Sequence, residues 1–160
     1  MKAAYRLAAI AKRQPPPPSK FWQRKLTPET QTTARILHWD ALTSIANGTA
    51  TEATMWEWIA GALTFDRMAQ LLAEDGVQLT HEARAALAEQ RQIAPTLRRR
   101  HAATGRVVFT GPELMAARAA AHVVDDLLTL DRHGVSTAAA EWSERQVAAM
   151  KATAIQPNPN

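Results

Sequence analysis

His122, Asp125 and Asp126 stand at i, i+3 and i+4, which puts an imidazole and two carboxylates on one face of a helix. Those groups are competent ligands for a divalent ion, but a closed site needs more donors, and no matching partner motif occurs elsewhere in the chain. The plainer reading is a solvated polar face beside core positions Leu127 and Leu128, with no metal and no other cofactor. "HEARA", beginning at His81, lacks the second histidine of a zinc-binding helix and reads as a charged first turn. In "HWD" the consecutive residues His38, Trp39 and Asp40 point around a helix in different directions, so they form no catalytic pair. No phosphate loop, dinucleotide glycine pattern or nucleophile elbow is present. Cysteine is absent, which removes disulfides, thiolate nucleophiles and cysteine-based zinc sites together. The expectation is a protein that binds rather than catalyses.

What it would bind is suggested by charge. The net charge of +4 is unevenly spread. Residues 1–28 hold Lys2, Arg6, Lys12, Arg13, Lys20, Arg24 and Lys25 and no acid, a local charge of +7, while the remainder carries −3. Such asymmetry points to an anionic partner, either nucleic acid or an acidic protein surface. "PPPP" reads as a stiff extended spacer of roughly 12 Å. It precedes "KFWQRKL", where Phe21 and Trp22 lie among Lys20, Arg24 and Lys25. Aromatics among cations can stack on exposed bases, can anchor in a hydrophobic pocket ringed by acids, or can staple the arm to the chain's own core. A second basic feature is "LRRRH". Arg98, Arg99 and Arg100 there favour the negative end of a helix dipole, and Arg84, Arg91 and Arg98 recur every seven residues as a stripe.

These groups need elements to hold them, and the punctuation for helices is legible. Thr27-Pro28-Glu29 offers an N-cap, a proline at the first helical position and an early acid, with a stop at Gly48. Thr49 to Glu52 has capping-box spacing for a second helix that reaches about Asp75 before Gly76. Thr80 caps a third, reaching about Ala103, with a kink or break expected near Pro95. Thr110 to Glu113 launches a fourth helix to about His133, and Ser136 or Thr137 starts a fifth lasting to about Ala152. Arg106 to Phe109 is the one β-like piece and is too short for a sheet.

Apolar stripes are expected at Ala34, Leu37, Ala41 and Ile45; at Trp58, Ala62, Phe65, Ala69 and Leu72; and at Leu114, Ala117, Ala121, Val124 and Leu128. Trp56, Ile59 and Leu63 add a second seam to the second helix, which is therefore either central or covered by a second copy as a homodimer through Trp56 and Trp58. Short connections imply antiparallel neighbours. The fold class expected is all-α: a basic arm over residues 1–26, an antiparallel bundle of about five helices over 27–153, and a tail over 154–160.

The stretch "ARILHWDALTSIANGTATEATMWEWIAGALTFDRMAQLLAEDGV" resembles small, mostly uncharacterised helical accessory proteins carried by phages and plasmids of proteobacteria. In that group a helix likewise ends at Gly-x-x-Thr, and a tryptophan-containing helix leads to an alanine- and leucine-rich stretch ending in glycine. The likeness extends over residues 34–150 and implies a regulator or an inhibitor of host defence; it carries no catalytic residues.

Together these readings give a non-enzymatic binding protein whose basic arm and Arg98–Arg100 cluster engage nucleic acid or a nucleic-acid-handling host complex. The alternatives are a DNA-binding transcriptional regulator using the third helix, and a homo-oligomeric structural helical protein. With no bilayer-spanning apolar run and no secretory signal pattern, a soluble, cytoplasmic chain without a membrane partner is expected.

Overall fold

The computed structural model describes residues 25–154; the expected sites Lys2, Arg6, Lys12, Arg13, Lys20, Phe21, Trp22 and Arg24, and residues 155–160, lie outside the described residues. The elements are α1 (Pro28–Ala46), α2 (Glu52–Glu74), α3 (His81–Thr104), α4 (Gly111–Leu127), a 3-10 turn (Leu128–Leu130) and α5 (Val135–Ala154). There is no strand among the described residues, and the helices pack as a bundle. None of them is long and apolar enough to cross a membrane.

Most of the capping logic holds. The side chains of Thr27, Thr80 and Thr110 accept from the amides of Thr30, Ala83 and Glu113, so each satisfies a donor the first turn would leave open. Gly105 ends α3 at φ 68°, a left-handed conformation that a side chain would oppose. The start of α2 differs from expectation. Thr51, not Thr49, is the N-cap, and it exchanges bonds with Thr54 at 3.2 and 3.3 Å. Glu52 is thereby free to accept from the indole Nε1 of Trp56 at 3.2 Å.

The fourth helix is also shorter than expected. It stops at Leu127 because Asp131, 1% exposed, must leave the helix to receive two backbone amides. Its carboxylate accepts from Ser136 N at 3.0 Å and from Leu26 N at 2.8 Å. His133 (φ 54°) and Gly134 (φ 68°) then turn the chain back, and α5 begins at Val135. Asp75, at the end of α2, closes the same corner by pairing with Arg132 Nε at 2.6 Å and His133 Nδ1 at 2.9 Å.

α2 packs against α1, α3, α4 and α5, so it is the central helix. Trp58, Ala62, Phe65, Ala69 and Leu72 are all buried. Cross-helix pairs fix the directions: Thr64 with Ser143 (2.6 Å), Arg91 with Asp66 (3.0 Å), and Thr96 with Glu113 (3.0 Å) each join antiparallel neighbours. Two apolar clusters result. One gathers Phe65 to Leu72, Leu87, Val124 and Leu127 with Leu26 against it; the other gathers Ile45, Met55, Trp58, Leu97, Ala117 and Val147. The chain enters the bundle at the first, near end and leaves α5 at the second, distal end. The 23 residues of α2 set a separation of about 35 Å at 1.5 Å per residue.

The stripe on α1 needs correction. Leu37 is 64% exposed, and His38 takes the buried position with Ala41, Leu42 and Ile45. The ring fits because Gly61 presents no Cβ; one built there would lie 3.0 Å from His38 Nδ1. His38 Nε2 meets the buried Gln90 amide at 3.3 Å, and Phe65 stands edge-on at 5.1 Å. Burial pushes the imidazole down to about 4, so it is neutral at pH 7.

Candidate anion-binding site

α3 is continuous through Pro95, so the expected break does not occur there. Proline has no N–H, so Pro95 cannot donate to the carbonyl of Arg91 one turn earlier. Pro95 is exposed, so α3 turns this interruption outward, and it lines a groove there. The groove has two adjoining parts that share Pro95 and Arg98 as lining. The larger, about 540 Å³, is walled by Met55 and Trp56 of α2 and by Arg98, Arg99, His101 and Ala102 of α3. The smaller, about 290 Å³, continues toward Arg91 and Gln92 and is closed by Leu63 and Met150.

Trp56 organises the distal part. Its Nε1 donates to Glu52, while the Arg98 guanidinium lies 5.2 Å and the Lys151 ammonium 5.3 Å from the ring centroid. Both cations are thus held by the electron-rich face of an aromatic ring rather than by a carboxylate. Arg98 also donates from Nη2 to the carbonyl of Met150 at 3.2 Å, tying α3 to the last turns of α5. Glu52 is the one carboxylate lining the larger part, and it forms no ion pair there.

The basic residues of α3 that the sequence groups together are in different circumstances. Arg84 is exposed near the start of the helix, away from the groove. Arg91 sits at the groove's near end but is paired with Asp66, whose carboxylate also takes Gln70 Nε2 at 3.0 Å. Arg99 is exposed and has no carboxylate partner among the described residues. Lys25 is exposed at the opposite end of the bundle.

Arg100 is occupied by structure. Its two terminal nitrogens each donate to Glu113 at 2.9 Å, and Nη1 also donates to the carbonyl of Val108. Burial pushes the Glu113 carboxyl up, but hydrogen bonds from Arg100, the Thr110 amide and Thr96, with the charge of Arg100, override it and hold it at about 2. Arg100 therefore joins α3 to the capped start of α4 and is withdrawn from the set expected to meet a partner.

Two further expectations are resolved by position. Trp58 is fully buried within the chain, edge-on to Phe109 at 5.0 Å, and offers no surface to a second copy; Trp56 alone of that pair reaches the surface. On α4, Asp125 pairs with Arg35 at 3.2 Å and accepts from Trp39 Nε1, while the His122 ring stands edge-on to Trp39. These contacts join α1 to α4. No group of three or more potential metal ligands occurs among the described residues.

Lys151, which stands over the Trp56 ring beside the groove, is the cation that sequence reasoning missed. Its signal is present in the pattern, since a cation in the last turn of a helix suits the dipole, but its meeting with Trp56 depends on the register of α5 against α2. Family models, curated proteins and solved structures give no match to this chain.

Proposed function

We propose that this chain is a non-enzymatic binding protein that engages an anionic partner through the groove around Trp56, with Arg98, Arg99 and Lys151 as the contacting cations. The observation that carries the reading is their arrangement. Arg98 and Arg99 line one concave surface and Lys151 stands over the Trp56 ring beside it, with no carboxylate paired to them among the described residues, whereas Arg35, Arg91, Arg100 and Arg132 are each engaged by an acid. A held cation with no counter-charge attracts an anionic ligand, and concavity strengthens that field. The basic leading segment, residues 1–26, is a second cationic element, and its described part, Lys25, leaves the bundle at the end away from the groove.

The resemblance to phage and plasmid accessory proteins supports a narrower version of this reading. In it the partner is nucleic acid or a nucleic-acid-handling complex of a host, met in the cytoplasm and inhibited or modulated by binding. The test uses the full chain with three probes at equal salt: single-stranded DNA, duplex DNA and polyglutamate. The reading expects at least one to bind, with affinity falling tenfold or more in an Arg98→Glu/Lys151→Glu variant that still melts cooperatively. Unchanged affinity in that variant, or no binding of any probe, would discard it.

A further inference from the structure

The chemistry of the groove walls narrows the ligand. Arg98 and Arg99 supply charge, with Lys151 over the indole beside them, and the apolar surface left open among them is that of Trp56, Pro95 and Met150, with Met55, Leu63 and Ala94 buried beneath it. A ligand that is only charged, such as an acidic peptide, gains from the first set and nothing from the second. One that carries flat apolar surface between regularly spaced anions gains from both. Nucleotides have that character, and base stacking on a fixed indole is tolerant of sequence.

We infer that the groove takes a few nucleotides of single-stranded nucleic acid, with a base against the Trp56 indole and phosphates on Arg98, Arg99 and Lys151. The inference rests on the anion-binding reading above and names the ligand of that same site. From Arg91 to Ala102 the groove follows α3 for about 16 Å at 1.5 Å per residue, which suits an extended strand rather than a lone phosphate. A duplex keeps its base faces stacked inside and would meet the cations with its backbone alone, leaving the apolar wall uncovered. Because Arg98 and Lys151 already lie over the indole, phosphates that draw them outward open that ring to a base in the same movement.

The experiment measures fluorescence anisotropy of labelled oligothymidylate, the corresponding duplex and polyglutamate on the full chain, at several salt concentrations. The single strand is expected to bind at least tenfold more tightly than either competitor. It should also quench tryptophan emission, and Trp56→Leu, which keeps an apolar wall but removes the stacking face, should lose that quenching and about tenfold in affinity. The same variant should cost duplex and polyglutamate less than it costs the single strand, because they lose only the support that the ring gives Arg98 and Lys151, and a thermal melt confirms that it folds. Should Trp56→Leu unfold the chain, Arg98→Gln and Lys151→Gln serve instead, with the preference for single strands as readout. Equal binding of all three anions, all weakened by the charge variants, overturns this inference and leaves the anion-binding reading standing. No loss of binding in any groove variant overturns both.

Discussion

At the end of the bundle where Leu26 enters, Asp131 engages two backbone amides with its carboxylate, and Asp75 holds both Arg132 and His133. At the other end, some 35 Å away at 1.5 Å per helical residue, Arg98 and Lys151 lean on an indole and Arg99 faces solvent. The near end uses charge to close a corner of the fold, so removing a carboxylate there leaves buried donors unmet. The distal end, beside the Arg100–Glu113 pair, carries Arg98, Arg99 and Lys151 with no carboxylate partner among the described residues. Ion pairs of the first kind report on stability and, on the function proposed above, cations of the second kind on recognition, although both appear in sequence simply as Arg, Lys and Asp.

The comparison can be broken most directly at Asp131. Asp131→Ala strands the amides of Leu26 and Ser136 and should cost about 3 kcal/mol in urea denaturation, while the folded fraction binds anions as before. Altered affinity in that folded fraction would mean that the two ends are coupled. Acid offers a test of comparable size in the middle of the bundle. Since folding lowers the pKa of His38 to about 4, the unfolded chain takes up its proton first as pH falls below about 6.5. Stability should drop by about 1.4 kcal/mol per unit, or about 3 kcal/mol in all, between pH 6.5 and 4. In His38→Gln the slope across that window should flatten.

Glu113→Gln is expected to be milder, at about 1–2 kcal/mol, because Arg100 keeps the carbonyl of Val108 and some solvent. Its pH signature lies lower: the stabilisation by ionised Glu113 is complete above about 4.5 and disappears as pH falls toward 2, so the variant and the parent should converge in that window. The smallest stability effect is expected for Arg98→Gln with Lys151→Gln, under about 1 kcal/mol in a thermal melt, since cations at exposed aromatic rings contribute little. That pair should nevertheless lower the slope of log affinity against log salt by about two. A large loss of stability in this double variant would erase the distinction between the two ends.

Much of the fold is legible in the sequence because caps are local. Thr27 with Pro28, Thr80, and Thr110 with Glu113 signal helix starts within four residues, and Gly76 and Gly105 fall at the stops. The failures occur where a partner lies far along the chain. Asp131 ends α4 early because Leu26, 105 positions away, needs its carboxylate. His38 displaces Leu37 from the core because Gly61 and Gln90 shape a place for an imidazole, which apolar periodicity does not register. Thr51 wins over Thr49 because Thr54 can return its hydrogen bond. For the site, the "RRR" run marks the correct helix end but treats three arginines alike. Only the antiparallel register of α3 and α4 shows that Arg100 belongs to Glu113, and only that of α2 and α5 brings Lys151 to Trp56.

Because α5 ends at Ala154, less than a turn beyond Lys151, a label joined directly to the end of that helix starts beside the Trp56 groove. A purification tag or fluorescent reporter joined there would crowd the recognition surface, and an acidic one would compete for its cations. The same label joined directly to Lys25 begins a bundle-length away from the groove.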